Sequence, residues 1–340
     1  MPISRSAYLR APWQVELRKI ELPDAPPAGH VLLAIDACGI CGTDLTAAKS
    51  GAKEWSPVGH EVAGTIAALG AGCPSHLVPG MTVVLESSSF CGHCAICRNG
   101  HSDLCNRGPS FWQQPAMGIG EYMITPAIGV VPYTGLDPVI ACQAEPVGVA
   151  IDLIMTAGIA LGDRVCVVGP GPIGLSAAAM ALRSGALRVL TIGCSRHGDR
   201  LAFARSLGSE ILASDAPLDG IAALKHQFDH VLVTAPTDTI APALALLAVG
   251  GRLTYLGIGT HDGMISFNAH DFHFRKLQLR ASFASPALYL PLALDLMRQD
   301  IIPGKRMASH VFDLDRVGEA FATCADPKQG ALKVVVRNRR

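Results

Sequence analysis

The chain has few charged and few aromatic residues, and neither sign of charge is in excess. Charged residues make up 16% of its 340 residues and aromatic residues 5%, and 28 basic residues balance 28 acidic ones. Because no basic field is present, the composition argues against a nucleic-acid partner and against an anionic membrane surface. The N-terminal segment also lacks the apolar core of a signal peptide.

Long hydrophobic runs are missing as well. No apolar run reaches the roughly 18 residues that a membrane span needs, and the best stretch, 240–249, is interrupted by Pro242. The hydrophobic content of 49% therefore predicts well-filled cores, and the length of 340 residues predicts two domains. The eleven cysteines, several of them at metal-ligand spacings, favour a reducing cytoplasm over a disulfide framework.

Four of these cysteines are close together, in the spacing C-x2-C-x2-C-x7-C: Cys91, Cys94, Cys97 and Cys105. Four thiolates so close in sequence can surround one tetrahedral Zn²⁺ and leave no position for water, which is typical of a structural zinc site. Disulfides and an iron–sulfur cluster are the alternatives. Cys-x2-Cys pairs suit disulfides poorly in a chain without secretory features, and the last spacing is long for a compact cluster. The segment therefore predicts a structural zinc.

The pattern of strand-like and helix-like segments changes near residue 147. Before it, short β-type runs are separated by Gly and Pro, which predicts a strand-rich domain over residues 1–146. After it, apolar strands alternate with helices, which predicts an α/β domain with a parallel sheet over residues 147–287. The predicted strands are 163–169, 187–192, 230–233 and 251–257, and the predicted helices are 172–184, 201–207 and 240–249. Residues 288–340 contain one more helix and a last strand.

A glycine-rich segment directly follows the first of these strands and opens a helix. It places Gly169, Gly171 and Gly174 in a G-x-G-x-x-G pattern, with Pro172 and Ile173 inside it. In this context the glycines permit a tight turn, close backbone approach to a pyrophosphate, and close packing of helix on strand. The helix N-terminus adds the positive end of its dipole. The segment therefore predicts a dinucleotide site in a doubly wound Rossmann sheet; a merely glycine-rich loop is the alternative.

The end of the second strand predicts which dinucleotide binds. An NAD site usually carries Asp or Glu there, which binds the ribose 2′-OH. This chain has Gly193, and no carboxylate follows before Asp199. Ser195 offers a hydroxyl and Arg196 a guanidinium for a 2′-phosphate, and Arg200 is a further cation nearby. NADP(H) is therefore favoured over NAD(H). In the alternative, Arg196 points into solvent and Asp199 restores NAD binding.

Further candidate metal ligands are spread along the first half of the chain. Cys41 lies in the segment CGICGTD, His60 and Glu61 in GHE, and Glu145 in EPV. Three such ligands with an open fourth position form the pattern of a catalytic zinc. Each is ambiguous alone, because a buried Cys is usually packing and a Glu before Pro can simply begin a helix.

Taken in order, with the four-cysteine segment and the glycine-rich turn, these motifs resemble the zinc-dependent medium-chain dehydrogenase/reductase family, the alcohol and polyol dehydrogenases. The resemblance spans nearly the whole chain. It implies a GroES-like catalytic domain built from residues 1–146 and 288–340, and a Rossmann domain over residues 147–287. It also implies hydride transfer between NAD(P) and a secondary alcohol such as a polyol or sugar, one catalytic and one structural zinc, and a cytoplasmic homodimer or homotetramer.

The resemblance assigns roles to individual residues. It implies that Cys41 and His60 ligate the catalytic zinc and that Glu145 takes the third position, as in the sorbitol and threonine dehydrogenases. Glu61 is, in that family, either a ligand or an alternate that exchanges with water. Thr43 matches the hydroxyl that hydrogen-bonds the substrate oxygen and relays its proton.

One position departs from the family pattern. Thr46 stands where many relatives place the His that completes the proton relay, and a threonine cannot act as a base near neutral pH. The exit route of the proton therefore stays open. The residues that line the substrate pocket are not assigned either. Trp55, Phe111 and Trp112 lie in segments that line it in relatives, but ordinary packing explains them as well. His270 and His273 are interpreted as surface or interface residues.

Two rival functions remain at this point. One is an NADPH-dependent reductase of aldehydes or ketones. The other is a non-catalytic module that combines a zinc-containing lobe with a nucleotide-sensing domain. The presence of Cys41, Thr43, His60 and Glu145 argues against the second rival, because a binding module has no need of them.

Overall fold

The chain folds into two compact units, each with its own β-sheet structure. The computed structural model describes residues 3–109, 111–112, 115–257 and 263–338. Within them, residues 3–148 and 284–338 form one compact unit and residues 149–283 form the other.

The first unit is rich in short strands. Its strands are β1 Ile3–Arg10, β2 Gln14–Glu21, β3 His30–Gly39, β4 Ser56–Pro57, β5 Glu61–Leu69, β6 Thr82–Leu85, β7 Tyr122–Pro126 and β8 Val130–Pro132. Its helices are α1 Gly42–Thr46, α2 Ala95–Arg98, α3 Pro138–Ala141 and the start of α4 Ala144–Ala157. Strands β2, β1 and β4 form a three-stranded sheet, in that order.

The second unit holds the predicted parallel sheet. Its strands are β9 Arg164–Val168, β10 Arg188–Gly193, β11 Glu210–Ala213, β12 Phe228–Val233, β13 Leu247–Tyr255 and β14 Gln278–Ala281, and its helices are α5 Pro172–Arg183, α6 Gly198–Ser206, α7 Ile240–Ala243 and α8 Ala269–Phe274. The strand order is β11-β10-β9-β12-β13-β14, and every neighbouring pair is parallel. This is the doubly wound order of a Rossmann sheet, so the predicted fold class is confirmed.

The C-terminal segment returns to the first unit. It contains α9 Leu290–Arg298, α10 Gly304–Met307, β15 His310–Asp313, α11 Val317–Ala325 and β16 Val334–Arg337. Strand β16 pairs with β3, so the larger sheet of this unit runs β15-β16-β3-β5-β6-β8, with β7 also paired to β3. Alternate residues of β3, Val31, Leu33 and Ile35, are fully buried in its core, as the two-residue period of a strand requires.

One predicted element is wrong in its second half. The helix expected at 240–249 ends at Ala243, a 3₁₀ turn covers Leu244–Leu246, and Leu247 already pairs with Phe228 in the sheet. The Ala- and Leu-rich composition favours a helix locally. Leu246 and Leu247 are instead fully buried, Leu247 as the first residue of β13, and burial of apolar side chains outweighs a small helix propensity.

A different stretch is the most membrane-like part of the described residues. Pro138–Ala157 has the length, 20 residues, and the mean hydropathy, 1.5, of a helix that could cross a membrane, and 67% of its most apolar window is buried inside the protein. The sequence analysis singled out 240–249 instead and found no run of this length. The core helix of a globular domain passes the same test, and the burial of this stretch fits that explanation.

Candidate metal and coenzyme sites

The four clustered cysteines surround a space of the size of one metal ion. Their Sγ–Sγ separations are 3.5 Å for Cys94–Cys97, 3.7 Å for Cys91–Cys105, 3.9 Å for Cys91–Cys97 and 4.0 Å for Cys94–Cys105. A tetrahedron with Zn–S bonds of about 2.3 Å has S–S edges of about 3.8 Å. The separations are far too long for disulfides, and one-ion spacing leaves no room for a cluster of several irons.

Backbone N–H groups point at these sulfurs. The amide of Cys94 donates to Cys91 Sγ over 3.4 Å, and the amides of Cys91 and Arg107 donate to Cys105 Sγ over 3.4 and 3.5 Å. A backbone hydrogen bond from His93 is the largest influence on Cys91, and together with neighbouring donors it lowers the pKa of that thiol to about 6. Thiolates, rather than thiols, bind metal, so these donors favour the ligand form of Cys91, and backbone hydrogen bonds lower the pKa of Cys105 as well, whereas burial raises the pKa of Cys97.

A second group of ligand atoms is assembled by the pairing of two strands. Cys41 follows β3 and precedes α1, while His60 and Glu61 stand at the start of β5. Because β3 and β5 are antiparallel and Gly39 pairs with Glu61, the end of one strand meets the beginning of the other. Ligand atoms of Cys41, His60 and Glu61 all lie within 4.8 Å of one another.

Asp44 is hydrogen-bonded to one of these residues and lies near a second, and no role for it was predicted from the sequence. Its Oδ2 accepts a hydrogen bond from the Cys41 amide over 2.9 Å, and its Oδ1 lies 3.7 Å from His60 Nδ1. Burial alone lowers the pKa of His60, but the Asp44 carboxylate and a hydrogen bond with Cys41 raise it well above its ordinary value. An acid three residues after a helix N-cap was the only local signal for this contact.

Glu61 is tied to a lysine from the far end of the chain. Lys333 Nζ donates to Glu61 Oε1 over 2.6 Å and to the Ile40 carbonyl over 3.0 Å, with the two charged side chains 3% and 0% exposed. Burial lowers the pKa of Lys333, but Glu61 more than offsets it, so the pKa is raised. Glu61 Oε2 has no hydrogen-bond partner. A Cβ at Gly39 would lie 2.0 Å from this oxygen, so only glycine admits the carboxylate there.

Glu145 lies outside the 4.8 Å group. It stands in the first turn of α4, is 8% exposed, and its Oε1 accepts a hydrogen bond from the Ser87 hydroxyl over 2.9 Å. Burial raises the pKa of Glu145, and the nearby His60 partly opposes this. The structure therefore brings Cys41, His60 and Glu61 together and leaves Glu145 beside them.

Only one of the three aromatic candidates lies against this group. The Trp112 ring is 4.9 Å from the His60 ring, centroid to centroid, and the residue is 51% exposed. Phe111 is buried in the core against Gly129. The Trp55 ring instead contacts two arginines of the three-stranded sheet. The guanidinium carbons of Arg10 and Arg18 lie 4.9 and 4.4 Å from its centroid.

The glycine-rich segment forms a strand–turn–helix at β9 and α5. Gly169 has φ of 105°, Gly171 caps α5, and Pro172 begins the helix, followed by Ile173. A Cβ at Gly174 would lie 1.9 Å from the Gly169 carbonyl oxygen, so helix and turn are packed as closely as glycine allows. A Cβ at Gly171 would meet no atom within 4 Å, so the space beside the N-cap of α5 is open, as phosphate binding requires.

The residues proposed for the 2′-phosphate follow β10. Ser195 and Arg196 lie exposed in the 3₁₀ turn Ser195–His197, and Arg200 lies in α6. A Cβ at Gly193 would lie 2.7 Å from the Pro170 ring, so the turn itself leaves no space for a side chain at that position.

The two metal-ligand groups should respond differently to mutation. Cys97→Ser should lower the thermal unfolding temperature by at least about 5 °C, because a closed metal site contributes folding free energy. Cys41→Ala should change it much less. Cys73→Ser, at a free cysteine outside both groups, is the matched control. Circular dichroism measures the unfolding temperature of each variant. If Cys97→Ser and Cys41→Ala lower it equally, the two ligand groups have been assigned wrongly.

The buried ion pair should be strongly coupled. Lys333→Met strands the Glu61 carboxylate without a partner and should cost about 3–5 kcal/mol in the free energy of unfolding. Adding Glu61→Gln should recover most of that loss, since no buried charge then remains unpaired. Urea denaturation of the two single variants and the double variant measures the coupling. Strictly additive losses would contradict it.

Known proteins match most of the chain. Residues 27–135 match the alcohol dehydrogenase GroES-like domain, and residues 172–299 match the zinc-binding dehydrogenase family. The D-altritol 5-dehydrogenase of Agrobacterium fabrum is 30% identical over 314 residues, covering 88% of this chain and 90% of that protein. The L-arabinitol 4-dehydrogenase of Aspergillus oryzae is 28% identical over 347 residues, covering 94% and 89%.

Solved structures agree with these matches. An alcohol dehydrogenase from Thermus sp. ATN1 has a TM-score of 0.86 and 26% identity, covering 98% of this chain and 100% of that one. Identity at the level of the altritol enzyme, over most of both chains, shows that this protein belongs to the family of zinc-dependent, NAD(P)-linked medium-chain alcohol and polyol dehydrogenases.

Proposed function

We propose that the protein oxidises a secondary hydroxyl of a polyol or sugar-derived substrate, with a catalytic zinc held by Cys41 and His60. The observation that carries this proposal is the group of half-buried Cys41 with buried His60 and Glu61, whose ligand atoms lie within 4.8 Å of one another. Such a thiolate, imidazole and carboxylate set fits Zn²⁺, and three protein ligands leave one position for substrate. The four-cysteine segment would hold a second, structural zinc.

The chain's own residues position the metal ligands and move the proton. A bound Zn²⁺ would supply the Lewis acid that lowers the pKa of an alcohol hydroxyl, and the coenzyme would supply the hydride acceptor. Asp44 fixes Cys41 and His60 through contacts behind the ligand atoms. Thr43 would accept the proton at its hydroxyl and pass it on. Thr43 and Thr46 are both exposed on α1, so we infer that the proton leaves to solvent without a histidine.

Two carboxylates compete for the third ligand position. Glu61 belongs to the close group and has an unpartnered oxygen, which favours it as the ligand in the observed arrangement. Glu145 is bound by the Ser87 hydroxyl and sits close enough to His60 to alter its pKa. The family resemblance favours Glu145. We propose that the two alternate: Glu61 offers Oε2 while Lys333 holds its Oε1, and Glu145 takes the position when Glu61 withdraws from the group.

The substrate class is proposed from relatives and one contact. The altritol and arabinitol enzymes named above are acyclic-polyol dehydrogenases by name, and they match most of the chain. Trp112 lies against His60 with half its surface exposed, so it supplies one wall beside the metal group. Flat aromatic surfaces of this kind pack against the C–H faces of a substrate and limit its width.

NADP(H) is proposed as the preferred coenzyme. No side chain fits at Gly193 beneath Pro170, so the acid that binds the ribose of NAD in many Rossmann domains has no equivalent there. Arg196 is exposed on the turn that follows, and Arg200 lies one helical turn further on. A guanidinium near the ribose favours a 2′-phosphate.

Activity with a panel of polyols, sugars and simple alcohols, each with NADP⁺ and NAD⁺, tests this proposal. We expect the highest kcat/KM with a polyol and NADP⁺. Cys41→Ala should abolish turnover while coenzyme binding is retained, and Arg196→Ala should lower the NADP⁺/NAD⁺ ratio of kcat/KM about ten-fold. Reduction of aldehydes alone would favour the reductase function. Coenzyme binding without any turnover would favour a sensing module.

We also propose that the protein is a cytoplasmic homodimer or homotetramer. Strand β14 is at the edge of the six-stranded sheet, and Val249, Phe274 and Phe283 of the same unit are 72%, 67% and 75% exposed. An open sheet edge in a unit with exposed apolar side chains is suited to self-association. All eleven cysteines are free, which fits a reducing compartment. Sedimentation velocity should show a dimer or tetramer at micromolar concentration, and a monomer throughout would contradict this.

A further inference from the structure

An aspartate from the neighbouring strand reaches the turn that was assigned to the coenzyme. Strands β10 and β11 are parallel neighbours in which Gly193 pairs with Ala213, and the Ser214 amide donates to the Gly193 carbonyl over 2.9 Å. Two residues beyond each strand, the Ser195 amide donates to Asp215 Oδ1 over 3.0 Å. The strand register therefore places the Asp215 carboxylate at the carboxyl edge of the sheet, where dinucleotides bind.

Asp215 uses the same donors that a 2′-phosphate would need. Hydrogen bonds from the Ser195 side chain and then from its backbone hold the pKa of Asp215 below the ordinary range, and Arg196 and His197 add to this effect. The carboxylate is thus ionised at neutral pH. A second anion at this turn would have to share Ser195 and Arg196 with it, or displace it.

The neighbouring positions offer no carboxylate in the usual place. Pro170 excludes any side chain from Gly193, which is where the ribose-binding acid of an NAD site would stand. Asp199 lies in the first turn of α6, after the 3₁₀ turn. Asp215 is the acid that contacts the turn itself, and it comes from the next strand rather than from β10.

We propose that Asp215 is a coenzyme-selecting residue, which accepts the ribose hydroxyls of NAD(H) and opposes the 2′-phosphate of NADP(H). This inference rests on the proposed dehydrogenase function and deepens it. The coenzyme preference is then a balance between Asp215 on one side and Arg196 with Arg200 on the other. The preference for NADP(H) is limited by Asp215, and removing its charge enlarges that preference.

Fragment binding tests the proposal without any turnover. The probes are 2′,5′-ADP, which carries the 2′-phosphate, and 5′-AMP, which does not, titrated calorimetrically into the full-length protein. Asp215→Asn should tighten 2′,5′-ADP about ten-fold, as expected for a repulsion between charges that share hydrogen-bond donors, and should leave 5′-AMP equal or weaker. The gain should shrink at high salt, because exposed charges are screened.

The matched control is Asp219→Asn, which removes the same charge from an exposed position of the same unit. It should change neither titration. Asp215→Ala should reproduce the gain for 2′,5′-ADP even if the asparagine amide forms new hydrogen bonds. In kinetics, both Asp215 variants should raise the NADP⁺/NAD⁺ ratio of kcat/KM by a similar factor.

Several results would overturn the proposal. Weaker binding of 2′,5′-ADP by Asp215→Asn would mean that Asp215 braces a phosphate-binding turn, and unchanged binding would mean that it has no part in selection. Failure of both fragments to bind any variant would remove the coenzyme site altogether. If the fragment preferences shift as expected but no polyol is oxidised, the substrate proposal fails and the role of Asp215 stands.

Discussion

The first unit is organised around a concentration of buried acidic groups with one buried lysine among them. Asp44, Glu61 and Glu145 are 4%, 0% and 8% exposed, and Cys41 adds a thiol that binds metal as a thiolate. Lys333 neutralises one of these charges. Taking charges out of water costs several kcal/mol per ion, and burial raises the pKa of Asp44 and of Glu145. A divalent ion at Cys41 and His60 would stabilise the ionised form of these carboxyl groups.

The buried lysine comes from the segment that returns to the first unit after the parallel sheet. Strand β16 pairs antiparallel with β3, with Val335 opposite Gly39, and this pairing brings Lys333 beneath the metal ligands. A Cβ at Gly39 would force Glu61 Oε2 to move, because the two atoms would lie 2.0 Å apart. The C-terminal strand therefore places Lys333 against the candidate ligand Glu61 and also extends the sheet.

Local motifs were enough to predict the four clustered cysteines and the group of Cys41, His60 and Glu61, but not the residues that contact them. The spacing of Cys91 to Cys105 and the turn from Gly169 to Gly174 are short-range patterns, and their physical requirements can be read from neighbouring residues. Lys333 lies 272 residues from Glu61 and Asp215 lies 20 from Ser195, and only strand register brings each pair together. Trp112 could not be told from Phe111 in the sequence, since burial decides which of two adjacent aromatic rings faces solvent. Burial likewise accounts for Leu247, which is fully buried and pairs with Phe228 in the sheet.

The central claim is that each of the two ligand groups holds one zinc ion, and the zinc content per chain tests it most directly. Mass spectrometry of purified protein, dialysed against metal-free buffer, should find about two zinc ions per chain, one for each group of ligands. Cys41→Ala and Cys97→Ser should each retain about one, and the metal left in Cys41→Ala should be the one whose removal by a chelator unfolds the protein. A wild type with a single zinc, or a Cys41→Ala variant that still holds two, would contradict the account.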